Sequence, residues 1–447
     1  MPRIWDAIVV GAGPSGTLAA ERMVARGLEV LLLDAGPLLP AGHRTPEVDR
    51  RMWPFTVRGP SFDWYRVRAV GGRTLLWGGW SFRFPAVVFR RAGWPYRLRE
   101  IEPLYAEVES ILGVKEGRLD DRYAQLARSA GVSIVAKRGS VVRGDPWTCR
   151  CSAVGRHART HTVATRLEHA RGKAIVLETV DLRTEKVRRL RARSFILAAS
   201  PIETTRILLT SEADPQRSIG QGLVDHMVAS YVLIEPAPPP SPEGRGPFPG
   251  SALVESFVNV DERSERPWRG GFSIELAGPV PLEELGIERM VASDQVERTS
   301  ATVIHAIGEM FPDRRRFVDL DPDKKDYLGL AAARIHVGWT REDKQRAKDM
   351  RTACKQIADA LAIPGSRLIP FVDPLLPGAG HEAGTCVMGR LESSPCDPVG
   401  RMRALGNVWI ADGSVMPTAG DLHPTLTLLT HALRVADSVV EQLATGV

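Results

Sequence analysis

Apolar positions in this chain fall into two kinds of pattern. Ala7 to Val10, Leu28 to Leu33, Phe195 to Ala199 and Val408 to Ala411 are short and almost wholly apolar. Such runs are too short for helices and read as strands of a parallel sheet buried on both faces. Between the first two, apolar residues recur at helical spacing from about Pro14 to Arg26, with Pro14 in the first turn and Gly27 just past the end. The same spacing predicts helices over about Arg99 to Leu112, Ile202 to Leu209, Arg341 to Leu361 and Thr425 to Leu443. Pro236 to Pro249 holds seven prolines and reads as a surface loop or linker. Beyond it, Ala252 to Val258, Gly271 to Glu275 and Arg334 to Trp339 read as strands of an antiparallel sheet.

The pattern gives an α/β chain, α+β overall: a Rossmann-like domain, discontinuous in sequence, with a second domain built on an antiparallel sheet. The expected division is 1–230 with 375–447 for the first and 231–374 for the second. Part of 37–150 is expected to cap the first domain or face the substrate.

The first strand runs straight into Gly11-Ala12-Gly13-Pro14-Ser15-Gly16. Gly11 permits a tight turn, Gly13 lets backbone approach a pyrophosphate, and Gly16 lets the next helix pack close. The positive end of that helix faces the phosphates. Asp34, followed by Ala35, ends the second strand eighteen residues after Gly16, near the spacing at which a carboxylate meets ribose hydroxyls. A carboxylate there disfavours the 2′-phosphate of NADP, while NAD and FAD remain undivided by this motif.

At 447 residues, 43% hydrophobic and 25% charged, the composition is that of a globular protein with more than one core. No apolar run approaches the ~20 residues of a membrane span. The first strand starts close to Met1, which leaves no room for a signal peptide, so the expectation is a cytoplasmic protein with no membrane partner. Five cysteines, Cys149, Cys151, Cys354, Cys386 and Cys396, are odd in number and scattered, fitting free thiols. Cys149 and Cys151 are too close for a Cys-x-x-C redox or zinc pair, and no metal is expected. The net charge of +6 is spread among acids. Its densest run, Arg188, Arg189, Arg191 and Arg193, reads as a solvated strand edge, and without a recognition motif no nucleic-acid partner is expected.

Three further segments carry a family resemblance. They are Val70-Gly71-Gly72-Arg73-Thr74-Leu75-Leu76-Trp77-Gly78-Gly79, His381-Glu382-Ala383-Gly384-Thr385-Cys386-Val387-Met388-Gly389, and Ala411 to Thr418 followed by His423-Pro424-Thr425-Leu426-Thr427. Together with Phe195 to Leu209 and Leu223-Val224-Asp225-His226, they resemble in order the signatures of glucose-methanol-choline (GMC) flavoprotein oxidoreductases. The resemblance implies FAD and oxidation of an alcohol. That chemistry needs a base within hydrogen-bond reach of the hydroxyl while the α-hydride leaves for flavin N5, and a second group to hold the developing alkoxide. An imidazole suits the first task at neutral pH. By the resemblance His381 is the base and His423 its partner, although the roles could be exchanged, and His226 reads as a core histidine.

The resemblance also places Gly71, Gly72, Thr74, Gly78 and Gly79 beside the flavin, with the Thr74 hydroxyl available to it. Asp412 is then at the ribityl and pyrophosphate region, and Pro424 and Thr425 at the helix end near flavin N1 and C2. Leu182 aligns near the adenine. Trp77 and Trp80 read equally as substrate wall or packing. Some members attach FAD through a histidine where Leu76 stands here, so the flavin is expected to be noncovalent. The partners are an alcohol, with a lean to a sugar, aminocyclitol or natural-product secondary alcohol, and O2 or another electron acceptor. Two other readings stay open: an FAD-containing hydroxynitrile-type lyase with a redox-silent flavin, and an NAD-dependent dehydrogenase.

Overall fold

The computed structural model describes residues 3–40, 53–60, 62, 64, 66–141, 157–241, 247–255, 257, 268–372 and 380–445. Ile4–Val10 lies parallel between Val30–Leu33 and the C-terminal half of Val187–Leu197, and Val408–Ile410 lies parallel to Phe195–Leu197. These are the apolar runs of the sequence. Alanines on Pro14–Ala25 and Thr425–Thr445 let the two helices pack closely on one face, where Ala19, Ala20, Ala432 and Ala436 meet Val9, Ile196 and Trp409. The opposite face, with Ile8, Val10 and Leu197, belongs to the larger core that also takes in Ile207 and Leu208 of the helix Pro201–Thr210.

The hairpin Thr162–Ala170 and Lys173–Asp181 extends this sheet antiparallel onto Val187–Leu190. The arginines expected at a strand edge therefore lie elsewhere. They are exposed, but their strand pairs with Lys173–Asp181 along one half and Ile4–Val10 along the other, so they mark a solvated face of an interior strand.

A six-stranded antiparallel sheet forms the second layer, in the order Arg367–Val372, His226–Glu235, Ser300–Glu309, Phe272–Pro281, Ser251–Val254, Ile134–Ala136. Arg341–Leu361 covers one face. It opens on a capping box in which Thr340 and Asp343 bond each other's backbone amides, and it buries Ala347, Met350, Cys354 and Ile357. The period of two in a strand then decides what the other face shows. Ile304, Ala306 and Gly308 face the helix, so His305 faces away, and the same alternation turns Glu275 and Ser230 away from it.

A third sheet joins Ala383–Thr385, Gln221–Val224, Phe317–Lys325, Ala331–His336 and Phe55–Arg58. These sheets draw strands from both sides of the expected boundaries at 230 and 375. The first falls within the strand His226–Glu235, and residues as distant as 55–58, 134–136 and 383–385 contribute to the second and third sheets, Phe55–Arg58 pairing parallel to Ala331–His336. The cause is the ten-residue pairing of His226–Glu235 with Ser300–Glu309, two apolar strands that the polar–apolar alternation does not announce.

Most predicted elements are present with shifted ends. Arg341–Leu361 has the expected bounds, and the last helix runs to Thr445. The helix predicted from Arg99 is a short 3-10 turn, Leu98–Glu100, and then Glu102–Ile111, with Pro103 in its first turn. Ser251–Val254, Phe272–Pro281 and Ala331–His336 replace the predicted strand limits. Cys354, Cys386 and Cys396 are buried free thiols, while Cys149 and Cys151 lie outside the described residues. No helix among the described residues is long and apolar enough to cross a membrane.

Candidate active site

A cavity of about 680 Å³ runs from the first glycine turn to the inner face of the antiparallel sheet. At its first end, Gly11 has φ +100° and a Cβ there would stand 2.3 Å from the Ala198 carbonyl oxygen, so only glycine lets the turn lie against the neighbouring strand. At Gly13 a Cβ would meet nothing within 4 Å, because that face is open to the cavity. The Gly71-Gly72 segment docks on the turn through Gly71 N donating to Ala12 O at 2.8 Å. The Asp34 carboxylate accepts from Ala12 N and Gly36 N, each at 2.8 Å. Burial raises its pKa, against the pull of those amides and of Arg68. A glycine face with no neighbouring atom, a carboxylate at the strand end and an elongated cavity between them fit an extended dinucleotide.

At the far end three imidazoles form a chain. His226 Nε2 meets two carbonyl oxygens, Ala419 at 3.1 Å and Gly420 at 3.0 Å. Carbonyls only accept, so Nε2 carries the hydrogen. Burial, with His423 nearby, lowers the His226 pKa to about 3, so the ring is neutral and its Nδ1 bare. His381 Nδ1, 3.0 Å away, therefore donates to it. Burial together with His423, His226 and Arg73 holds the His381 pKa well below the ordinary value, and in that neutral ring Nε2 is the bare nitrogen. It faces His423 Nδ1 at 3.3 Å.

The other nitrogen of His423 contacts the Glu275 carboxylate. Burial opposes ionisation of Glu275, but His423, with His305 and Lys137, outweighs it and holds the carboxyl below its ordinary range. Glu275 thus accepts from Nε2–H, which turns the His423 Nδ1 towards the bare Nε2 of His381. A bare imidazole nitrogen on His381, facing a second imidazole that is backed by a carboxylate, makes a receptor for one proton.

The chain is held from behind. Asp225 accepts from the amides of His226 at 2.7 Å and His381 at 3.1 Å, fixing the two backbones to each other. Arg73 reaches from the glycine segment to the Gly380 carbonyl and the Glu382 carboxylate. Burial and the neighbouring Glu382 push the Asp225 pKa well above the usual carboxyl range, so Asp225 keeps its proton at neutral pH. Trp80 lies parallel to His423, with ring centroids 6.0 Å apart. It serves both as cavity wall and as packing.

Most of the sequence-predicted site converges on this cavity. His381, His423, Gly11, Gly13, Pro14, Ser15, Asp34, Ala35, Gly72, Thr74, Gly78, Gly79, Asp412, Pro424 and Thr425 line it, and so do Leu76 and Trp77. Ala12, Gly16 and Gly71 do not. Ala12 and Gly71 brace the turn, and a Cβ on Gly16 would stand 2.0 Å from Gly11 O, so that glycine serves helix packing. Two side chains are already engaged by the protein. The Thr74 hydroxyl donates to Gly71 O at 2.6 Å instead of standing free, and the Asp412 carboxylate accepts from Thr204 and Ser414. Leu182 lies off the cavity, whose wall there is Thr162, Val163 and Ala164.

Sequence reasoning missed Glu275 and the contact of His226 with His381. The available signal for Glu275 was an acid alone in the apolar strand Phe272-Ser273-Ile274-Glu275-Leu276.

A Rossmann-type sheet feeding a long cavity that ends on a buried imidazole pair defines a nucleotide-dependent oxidoreductase. Residues 312–432 match the family model for GMC oxidoreductase, and residues 9–62 match that for an NAD(P)-binding Rossmann-like domain. The chain is 26% identical to 6'''-hydroxyparomomycin C oxidase of Streptomyces lividus, over 99% of this chain and 92% of that protein. It is also 26% identical, at the same coverage, to paromamine 6'-oxidase of Streptomyces fradiae. Among solved structures, pyridoxine 4-oxidase from Mesorbium loti has the same fold, with a TM-score of 0.70 at 17% identity, covering 97% of this chain and 99% of that one. Over residues 312–432 the chain thus resembles the GMC oxidoreductases, it is similar along nearly its whole length to the two Streptomyces oxidases, and it is an FAD-dependent oxidoreductase.

Proposed function

We propose that the protein oxidises a hydroxyl group of a sugar or aminocyclitol, with the His381/His423 pair receiving the hydroxyl proton and a noncovalent FAD lying along the cavity. The carrying observation is the pair itself: two imidazole nitrogens facing each other at 3.3 Å, backed by Glu275, at the end of a cavity that begins at the glycine turn. FAD, when bound, supplies the acceptor for the substrate's α-hydride.

The chain's own residues do the rest. Gly11, Gly13 and Ser15 cradle the pyrophosphate at the start of Pro14–Ala25, and Asp34 faces the ribose. Gly72, Gly78 and Gly79 would flank the ring system, and Pro424 and Thr425 would present the positive end of the last helix to it. His381 Nε2 takes the proton as the alkoxide forms. His423 holds the alkoxide oxygen and shares the proton, and Glu275 stabilises the cationic form of the pair. Leu76 offers no nucleophile at the position where some relatives carry a linking histidine, which supports noncovalent binding. The names of the two Streptomyces relatives, a 6'''-hydroxyparomomycin C oxidase and a paromamine 6'-oxidase, support the substrate class. Electrons then pass to O2 or to another acceptor.

The test is anaerobic mixing of the flavoprotein with a panel of sugars, aminocyclitols and simple alcohols. Bleaching of the oxidised flavin absorption by a polyol is the expected result, and His381→Ala should slow it by about a hundredfold or more. A yellow protein that no alcohol reduces, or a variant that reduces at the parent rate, would overturn the reading.

A further inference from the structure

The inner face of the antiparallel sheet carries a polar row beside the catalytic pair. The register sets Val372, Ser230, His305, Glu275 and Leu253 side by side on five adjacent strands, so three polar residues are flanked by apolar ones. Glu275 is committed to His423. His305 lines the cavity, and its Nδ1 is 2.6 Å from Ser230 Oγ. Its Nε2 has no hydrogen-bond partner among the described residues. Directly paired strand residues stand ~5 Å apart, so His305 sits one such spacing from Glu275 and hence close to the imidazole pair.

Placing an imidazole in an otherwise apolar strand, with one nitrogen braced and the other left open to a cavity, carries a desolvation cost that a ligand hydrogen bond would offset. Burial lowers the His305 pKa, which keeps the ring neutral. A neutral imidazole whose proton can sit on either nitrogen, against a hydroxyl that can donate or accept, offers one reversible donor or acceptor. That matches a neutral hydroxyl better than an anion or an ammonium group.

We propose that the Ser230–His305 pair is a substrate-reading subsite, binding a second hydroxyl group of a polyhydroxylated ring while the reacting hydroxyl lies at His381/His423. The assignment rests on the alcohol-oxidation reading above and deepens it. His305 Nε2 makes the contact, and Ser230 acts through it by bracing the ring and serving whichever tautomer the bound hydroxyl selects. A site built around a hydrogen bond to a hydroxyl rejects an analogue lacking that group, because its own polar atom is then left unpaired.

The experiment uses the FAD-loaded protein and its His305→Leu, His305→Gln and Ser230→Ala variants. The probes are paromamine, methyl α-glucoside with its monodeoxy analogues, and cyclohexanol. Anaerobic flavin reduction gives KM and limiting rate, and calorimetric titration of the oxidised protein gives binding without turnover. In the parent, one deoxy analogue should lose about 30-fold or more in kcat/KM against its polyol. In His305→Leu that ratio should collapse towards one, with the change in KM and in the titration, while His305→Gln retains part of it. Ser230→Ala should show a smaller loss.

If the parent binds and oxidises cyclohexanol but none of the polyols, or treats every deoxy analogue like its parent sugar, the subsite is overturned. An unchanged ratio in His305→Leu also overturns it. If no alcohol reduces the flavin, the oxidation reading fails instead. The titration still decides the subsite, since weaker polyol binding in His305→Leu supports it and equal binding refutes it.

Discussion

Replacing Glu275 by glutamine tests the proton receptor most directly. The side chain keeps its shape, and its amide oxygen can still accept from His423 Nε2–H, so the resting hydrogen bond survives. What disappears is the attraction between a carboxylate and the imidazolium that forms when the pair takes up the alcohol proton. The two groups are in hydrogen-bond contact and mostly buried. For unit charges ~4 Å apart at an effective dielectric constant of about 20, that attraction is about 4 kcal/mol. With roughly half of it expressed in the transition state, about 2 kcal/mol is lost, or about 30-fold in rate.

Stopped-flow anaerobic reduction at saturating substrate reads this number, with flavin content and melting temperature checking that the variant folds and loads. The pH dependence carries a sign as well. The Glu275 pKa is lowered in the folded protein, so its charge is present above the ordinary carboxyl value and is lost only as pH falls through the lowered one. The parent-to-variant ratio should therefore stay level between pH 5 and pH 9, and shrink only below about 4. A Glu275→Gln enzyme that reduces within twofold of the parent would show that the carboxylate only fills space, and the reasoning would fail.

Three further outcomes follow from the same geometry. Acid precipitation of the holoprotein should leave the flavin in the supernatant, and yellow colour retained in the washed pellet would contradict noncovalent binding. Gly11→Ala should drive the turn away from Ala198 O, destabilising the protein by about 1–3 kcal/mol and lowering the flavin-to-protein ratio; full occupancy at an unchanged melting temperature would refute this. Asp225→Asn keeps the acceptor for the two histidine amides but removes the raised titration. A raised folded pKa gives stability that is full below the unfolded value of about 3.9 and is lost as pH rises through the folded one, so the parent's melting temperature should fall more steeply than the variant's from pH 5 to pH 9. Parallel slopes would show that Asp225 is ionised in the fold.

The dinucleotide half of the molecule was legible because its parts are local. A buried strand, three glycines, a helix and an acid follow one another within 34 residues, and each residue's neighbours in space are its neighbours in sequence. Even there the free use of side chains was overestimated. Thr74 bonds its own turn, and Asp412 serves Thr204 and Ser414, since buried polar groups satisfy one another wherever the backbone brings them into range.

The chemistry end depends instead on register. His226 meets His381 across 155 residues and His423 meets Glu275 across 148, and neither contact has a local signature. Shifting one strand of the antiparallel sheet by a single residue would turn Glu275 or His305 towards Arg341–Leu361 and place an apolar side chain in the cavity. Ser230, Glu275 and His305 share one kind of trace in the sequence: each is a polar residue set among apolar neighbours in its strand. That trace marks each position as costly to bury, and only the pairing of the strands reveals that the three costs fall in one row facing the same cavity.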